Sequence, residues 1–323
     1  MQTAGTAKKL FRNRSGHLRA GWRILAYAIV VGLIGLMAAG VSRLVHNNVE
    51  SEPDQAGESE DERFDSWMGI IGFFIMDFIL IAAAFVTLRY IDKRPIGMLG
   101  LSVSSTTGKE LLIGLLLGAG AICASCLFMW IAGALRVTLG SPNLTFLVGA
   151  GRLMLVFLAA AAVEELIMRG YPFQAFAEGV GVPFAVVLFS MIFGLGHMSN
   201  RGWSVLGLAN TGMSGVLMSL AYLKTRSLWI PIAIHLSWNW TQGCIWGMNV
   251  SGLPIDGSLL ETTPIGATIL SGGTFGAEGS LFTLAIIALL SLYTWKASWL
   301  KPSPRNADLW ERYSASADDQ TDA

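Results

Sequence analysis

Two adjacent carboxylates and a guanidinium interrupt an apolar run of this chain. After Arg152 the sequence reads LMLVFLAAAAV, and then come Glu164, Glu165 and Arg169. Charge at such a position is costly in lipid and marks a functional site by default. On a helix Glu165 and Arg169 are four residues apart, so they share a face and can pair. Glu164 is turned from Glu165 by about 100°. The two carboxylates therefore do different work: one is neutralised by Arg169, and the other is free to face a cavity. A carboxylate without a counter-charge in an apolar setting is a usable base near neutral pH. We take Glu164 as that base and Glu165–Arg169 as its support, although the spacing also admits the reverse order.

The chain holds 4 histidines. His17 sits among basic residues and His46 among acidic ones, and solvation accounts for both. His197 and His235 instead lie in hydrophobic stretches. Phe193 stands one turn before His197, and Asn239 one turn after His235. Intramembrane histidines face the bundle interior, so these two and the glutamates are expected to share one site. Two chemistries fit. Glu164, His197 and His235 could hold a divalent metal such as zinc, with a position left open for water. Alternatively, Glu164 and His197 activate water directly, while His235 and Asn239 donate hydrogen bonds to the oxyanion. Both hydrolyse an amide. There is no His-Glu-x-x-His, Gly-x-Ser-x-Gly or Walker sequence, so the common zinc-protease helix, serine hydrolases and nucleotide-driven machines lack support.

The elements that must position these groups are membrane helices. Hydrophobic residues make up 53% of the chain and charged ones only 14%, with mean hydropathy +0.55. A soluble domain carries about 25% charged residues, and uncharged runs of about 20 residues are the mark of spanning helices. We expect an all-α polytopic bundle of about eight spans within 24–300: near 24–42, 67–88, 111–135, 148–176, 183–199, 203–223, 229–249 and 280–295. Gly114, Gly118 and Gly120 of the third span would admit a close neighbour. Asp77 in the second either bonds a neighbouring helix or joins a polar pathway. Residues 250–279 read as a loop or re-entrant segment, and the polar tail 301–323 as disordered. The segment 43–66, with eight acidic and two basic residues, reads as a solvated loop. Cys123, Cys126 and Cys244 lie in apolar segments and read as small packed side chains rather than a redox or zinc framework.

Residues 1–23 carry six basic side chains and no acidic one. With the basic loop 89–109 and the turn 224–226 they place both termini in the cytoplasm. Net charge is +0, so the total is silent on nucleic acid and its distribution sets topology instead; the expected partners are lipids and a membrane-associated protein or peptide substrate, with no nucleic acid. One difficulty stands. Straight counting puts His197 near the outer end of its span and His235 near the inner end of its own, about 10 Å apart in depth at 1.5 Å per residue. A kink at Pro172 or Pro231, a tilt or different span ends must absorb this.

Glu164-Glu165-x-x-x-Arg169-Gly170, Phe193-x-x-x-His197 and His235-x-x-x-Asn239, in that order on separate hydrophobic stretches, resemble the CAAX-processing and bacteriocin-processing (CPBP, or Abi) family, which includes Rce1-type endopeptidases. The resemblance covers about 150–250. It implies an intramembrane endopeptidase of eight or so helices, in a bacterial cell membrane by analogy with its bacterial members, in which Glu164 and His197 activate water and His235 and Asn239 form the oxyanion site, with the need for a metal left open. The rival readings are a non-catalytic scaffold or immunity factor of the same fold, and a proton-coupled transporter using Asp77, Glu164 and the histidines. The transporter should show two related halves, and no repeat is visible.

Overall fold

The computed structural model describes residues 18–49, 75–140, 142–255 and 257–314. Helix α1 is Ala20–Val49; α2 covers 75–86 and runs on as a π-helical turn, Thr87–Ile91. Next come α3, Thr107–Ile131, and strand β1, Leu135–Leu139. The central elements are α4 (Leu144–Arg169), α5 (Tyr171–Val180), α6 (Val182–Leu195), α7 (Val205–Thr225) and α8 (Trp229–Trp240). A π-helical turn, Thr241–Ile245, extends α8. Strand β2 (Leu260–Pro264), the single-turn α9 (Thr268–Ser271), α10 (Leu281–Lys296) and α11 (Pro304–Ser314) complete the order. This is the expected all-α membrane bundle. Among the described residues four helical stretches, α1, α3, α4 with α5, and α7, are long and apolar enough to cross a membrane, and α6 and α10 are shorter apolar helices.

Helix α8 lies at the centre, packed on α3 and α4. Its intimacy with α3 comes from Gly114 and Gly118: a Cβ at either would collide with the α8 backbone, at Ile230 O or Ile234 O. Gly120 meets nothing, contrary to expectation, because it faces away from α8. Replacing Gly118 by valine is expected to destabilise the bundle by about 1–3 kcal/mol through overpacking. Thermal unfolding in detergent should show this, with Gly120→Val unaffected.

Several boundaries differ from the sequence reading. The span expected over 148–176 breaks at Gly170, where a Cβ would overlap the Leu166 carbonyl, and Pro172 then starts α5. Helix α6 is only 14 residues long, about 21 Å, so the chain turns before crossing a full hydrocarbon layer. His197 and His235 both pack against the Phe193 ring, so the depth mismatch expected from straight counting does not arise. Helix α1 begins before 24 and runs through Val49, so an acidic loop cannot start at 43. Arg23, counted in the basic amino-terminal segment, is buried and pairs with Asp92 at 2.5 Å and with Glu178. Arg94 also pairs with Glu178, at 2.6 Å. Loop 136–150 and segment 250–279 contribute an unforeseen antiparallel pair, β1 with β2, Val137 opposite Thr262. Part of the tail is helical: Leu309 and Trp310 of α11 pack against the core, and Arg226 stacks over Trp310 at 4.2 Å. Residues 1–17 with His17, 50–74 with the rest of the acidic loop, and 315–323 lie outside the described residues, as does the side chain of His46.

Candidate active site

Glu165 and Arg169, on the last turns of α4, are fully buried and paired at 3.1 Å. Arg169 also donates to the Gly215 carbonyl at 2.8 Å and to Ser219 Oγ at 3.4 Å, both on α7. Its guanidinium lies 5.1 Å from the Phe193 ring centre. Every face of this charge is thereby engaged, which an ion in a low-dielectric interior requires.

His235 stands on the other side of Glu165. Its Nδ1 is 3.2 Å from Glu165 Oε1, and its Nε2 is 3.9 Å from Glu164 Oε2. Glu165 therefore joins Arg169 to His235, a link that sequence spacing does not show. Nδ1 carries the proton in this contact, because the carboxylate only accepts. Glu164 is the open carboxylate, with 31% of its side chain exposed. Asp77 on α2 is half-buried and lies within electrostatic range of Glu164.

His197 is not on a helix. α6 ends at Leu195, and His197 occupies the turn that follows. The apolar run had suggested a helix to about 199; the glycines Gly194 and Gly196 end it sooner. His197 Nδ1 donates to the Phe193 carbonyl at 2.8 Å. A carbonyl can only accept, so this bond fixes the proton on Nδ1 and leaves the lone pair on Nε2. Phe193 orders both histidines: its ring meets His197 edge-on at 5.2 Å and His235 at 6.0 Å.

His197, His235 and Asn239 line one small cavity of about 40 Å³ with Phe193, Ser251 and Glu278. That volume suits one water or one carbonyl group. Among the described residues no three His, Cys, Asp or Glu side chains gather to hold a metal ion. Glu164, His197 and His235 thus do not form a ready ligand set. The cysteines are free: Cys126 is buried against Met248, and Cys123 accepts from Trp246.

Glu278 was not foreseen as a site residue. It is the sole charge between Glu261 and Lys296, the signal that would have found it. Burial pushes its carboxyl up to about 7, against the opposing hydrogen bonds from Gln242 and Ser251.

Residues 145–241 match the family described as type II CAAX prenyl endopeptidase Rce1-like. The matched stretch contains Glu164, Glu165, Arg169, Phe193, His197, His235 and Asn239, and it supports a CAAX-type membrane protease at the level of the family. With the apolar helices, the Rce1-like stretch describes an integral membrane protein. No curated protein and no solved structure matches the chain.

Proposed function

We propose that the chain is an intramembrane endopeptidase that hydrolyses a peptide bond of a membrane-associated protein, lipidated or near its C-terminus. The observation that carries this reading is His235 held between Glu165 and the open Glu164, beside a cavity that His197 and Asn239 also line. Glu164, with the Nε2 lone pair of His197, takes the proton of a water as its oxygen attacks the carbonyl carbon. The carbonyl electrons move to oxygen. Asn239 Nδ2–H and His235 Nε2–H donate to that oxyanion. For the latter, His235 carries both ring protons, and Glu164, Glu165, Arg169 and His235 then sum to zero charge. Collapse breaks the C–N bond, and the proton held at Glu164 passes to the leaving amine. The setting in this reading is a bacterial cell membrane with both termini cytoplasmic.

The test is purified protein in liposomes with two peptides of one sequence, one carrying a prenylated cysteine four residues from its C-terminus. Mass spectrometry should show release of the last three residues, favoured by the lipid. Cleavage of neither peptide nor of a membrane-peptide library, with the cellular phenotype surviving His197→Ala, would instead establish a scaffold. Asn239→Ala is expected to lower kcat by about 10²–10³, the usual cost of one oxyanion donor. KM should hold, as read from full saturation curves.

A further inference from the structure

We propose that Glu278 is a positioning residue for His197, reaching it through Ser251 and Asn200 from outside the stretch 145–241. The proposal rests on the reading of His197 as a catalytic group.

His197 lies beyond the end of α6, so helix packing alone does not place its turn. The turn is instead held by two other loops. Asn200 Nδ2 donates to the Ser251 carbonyl at 2.8 Å. Gly252 is so close to Arg201 that a Cβ there would lie 3.0 Å from the Arg201 nitrogen, and a Cβ on Gly202 would lie 2.9 Å from the Phe275 nitrogen. Gly252 N also donates to the Phe275 carbonyl at 2.8 Å. The three loops are interlocked.

Ser251 is the joint, and it is strained. Its φ is +47°, a left-handed conformation that a non-glycine residue adopts only when its surroundings enforce it. Glu278 supplies that enforcement. Its Oε1 accepts from both Ser251 N and Ser251 Oγ, each at 3.1 Å. Its Oε2 accepts from Gln242 Nε2, which donates in turn to the Asn249 carbonyl at 2.6 Å. Gln242 itself is oriented by Trp238 Nε1, at 3.0 Å. The Glu278 main-chain carbonyl is tied to α7 by Asn210 at 2.6 Å. A carboxylate suits this place because donors converge on both of its oxygens. In a glutamine, the amide nitrogen would face one of those donors. Glu278 and Ser251 also line the cavity of His197, His235 and Asn239, so a shift of this joint moves the cavity wall as well as the turn.

The experiment compares wild type with Glu278→Gln, Asn200→Ala and the double variant, all as full chain in liposomes. Two readouts are taken: peptide hydrolysis, and the rate at which diethyl pyrocarbonate modifies each histidine, resolved by mass spectrometry. Either single substitution should raise modification of His197 several-fold and leave His235 unchanged. Either should lower kcat by about 10–100-fold with little change in KM, as expected for a misplaced catalytic group. The double variant should fall no further than the worse single one, because both act on one chain of bonds. Unchanged modification of His197 in both variants, or multiplicative losses in the double, would overturn the proposal. If Glu278→Gln does not fold, Asn200→Ala, which cuts only the last link, decides by the same readouts. If His197→Ala cleaves like wild type, the catalytic reading of His197 fails, while the modification rates still report whether Glu278 positions the turn.

Discussion

Glu164→Gln is expected to lower kcat for peptide hydrolysis by about 10²–10⁴, the range that a general base contributes, with folding and KM nearly unchanged. The reason is the asymmetry of the two glutamates. Glu164 is partly exposed, and among the described residues the cationic group it meets is the distant edge of His235, at 3.9 Å. An amide of the same shape leaves the buried pair intact and removes only the group that accepts the proton. Glu165→Gln should behave differently. Glu165 accepts from Arg169 and His235, so an amide there leaves Arg169 without its counter-charge and loosens His235. Thermal unfolding should fall together with activity. Saturation kinetics and unfolding curves on both variants separate the roles. A stable Glu165→Gln that has lost all turnover, beside a fully active Glu164→Gln, would reverse the assignment.

The helical arithmetic of the sequence reaches one element at a time, and the site shows where that suffices. Glu165 and Arg169 are neighbours on a single helix, so their pairing follows from spacing. The bond from Glu165 to His235 does not, because it depends on how α4 rotates against α8. Gly114 and Gly118 were readable as close-approach positions, but their partner was not, and Gly120 has the same composition signal with no neighbour. His197 escaped its correct setting for another reason. Hydropathy alone carries the run to about 199, whereas the helix ends at Leu195. The two-stranded sheet of β1 and β2 was hidden because five-residue strands give little periodicity, and its pairing joins segments more than a hundred residues apart. In α11, Leu309 and Trp310 are too few to outweigh the polar residues around them, although they suffice to dock one face.

Arg169→Met is expected to be among the most damaging single substitutions in the chain, by about 3–5 kcal/mol, the usual cost of leaving one member of a buried ion pair unmatched. Three losses coincide. The Glu165 carboxylate remains fully buried without its guanidinium. The Gly215 carbonyl and Ser219 hydroxyl on α7 lose a donor. The cation leaves the face of Phe193, the ring that also orders His197 and His235. Glu165→Leu in the Arg169→Met background should recover much of the stability, since an apolar pair of similar volume avoids the desolvation of both charges. Turnover should not return with it, because His235 then lacks the carboxylate that fixes its Nδ1 proton. A double-mutant cycle of unfolding free energies, measured beside kcat, tests both halves of the argument. If stability and turnover recover together, Glu165 serves the fold alone. If stability recovers and turnover does not, the buried pair has a second duty, which is to hold His235 in the orientation that hydrolysis needs.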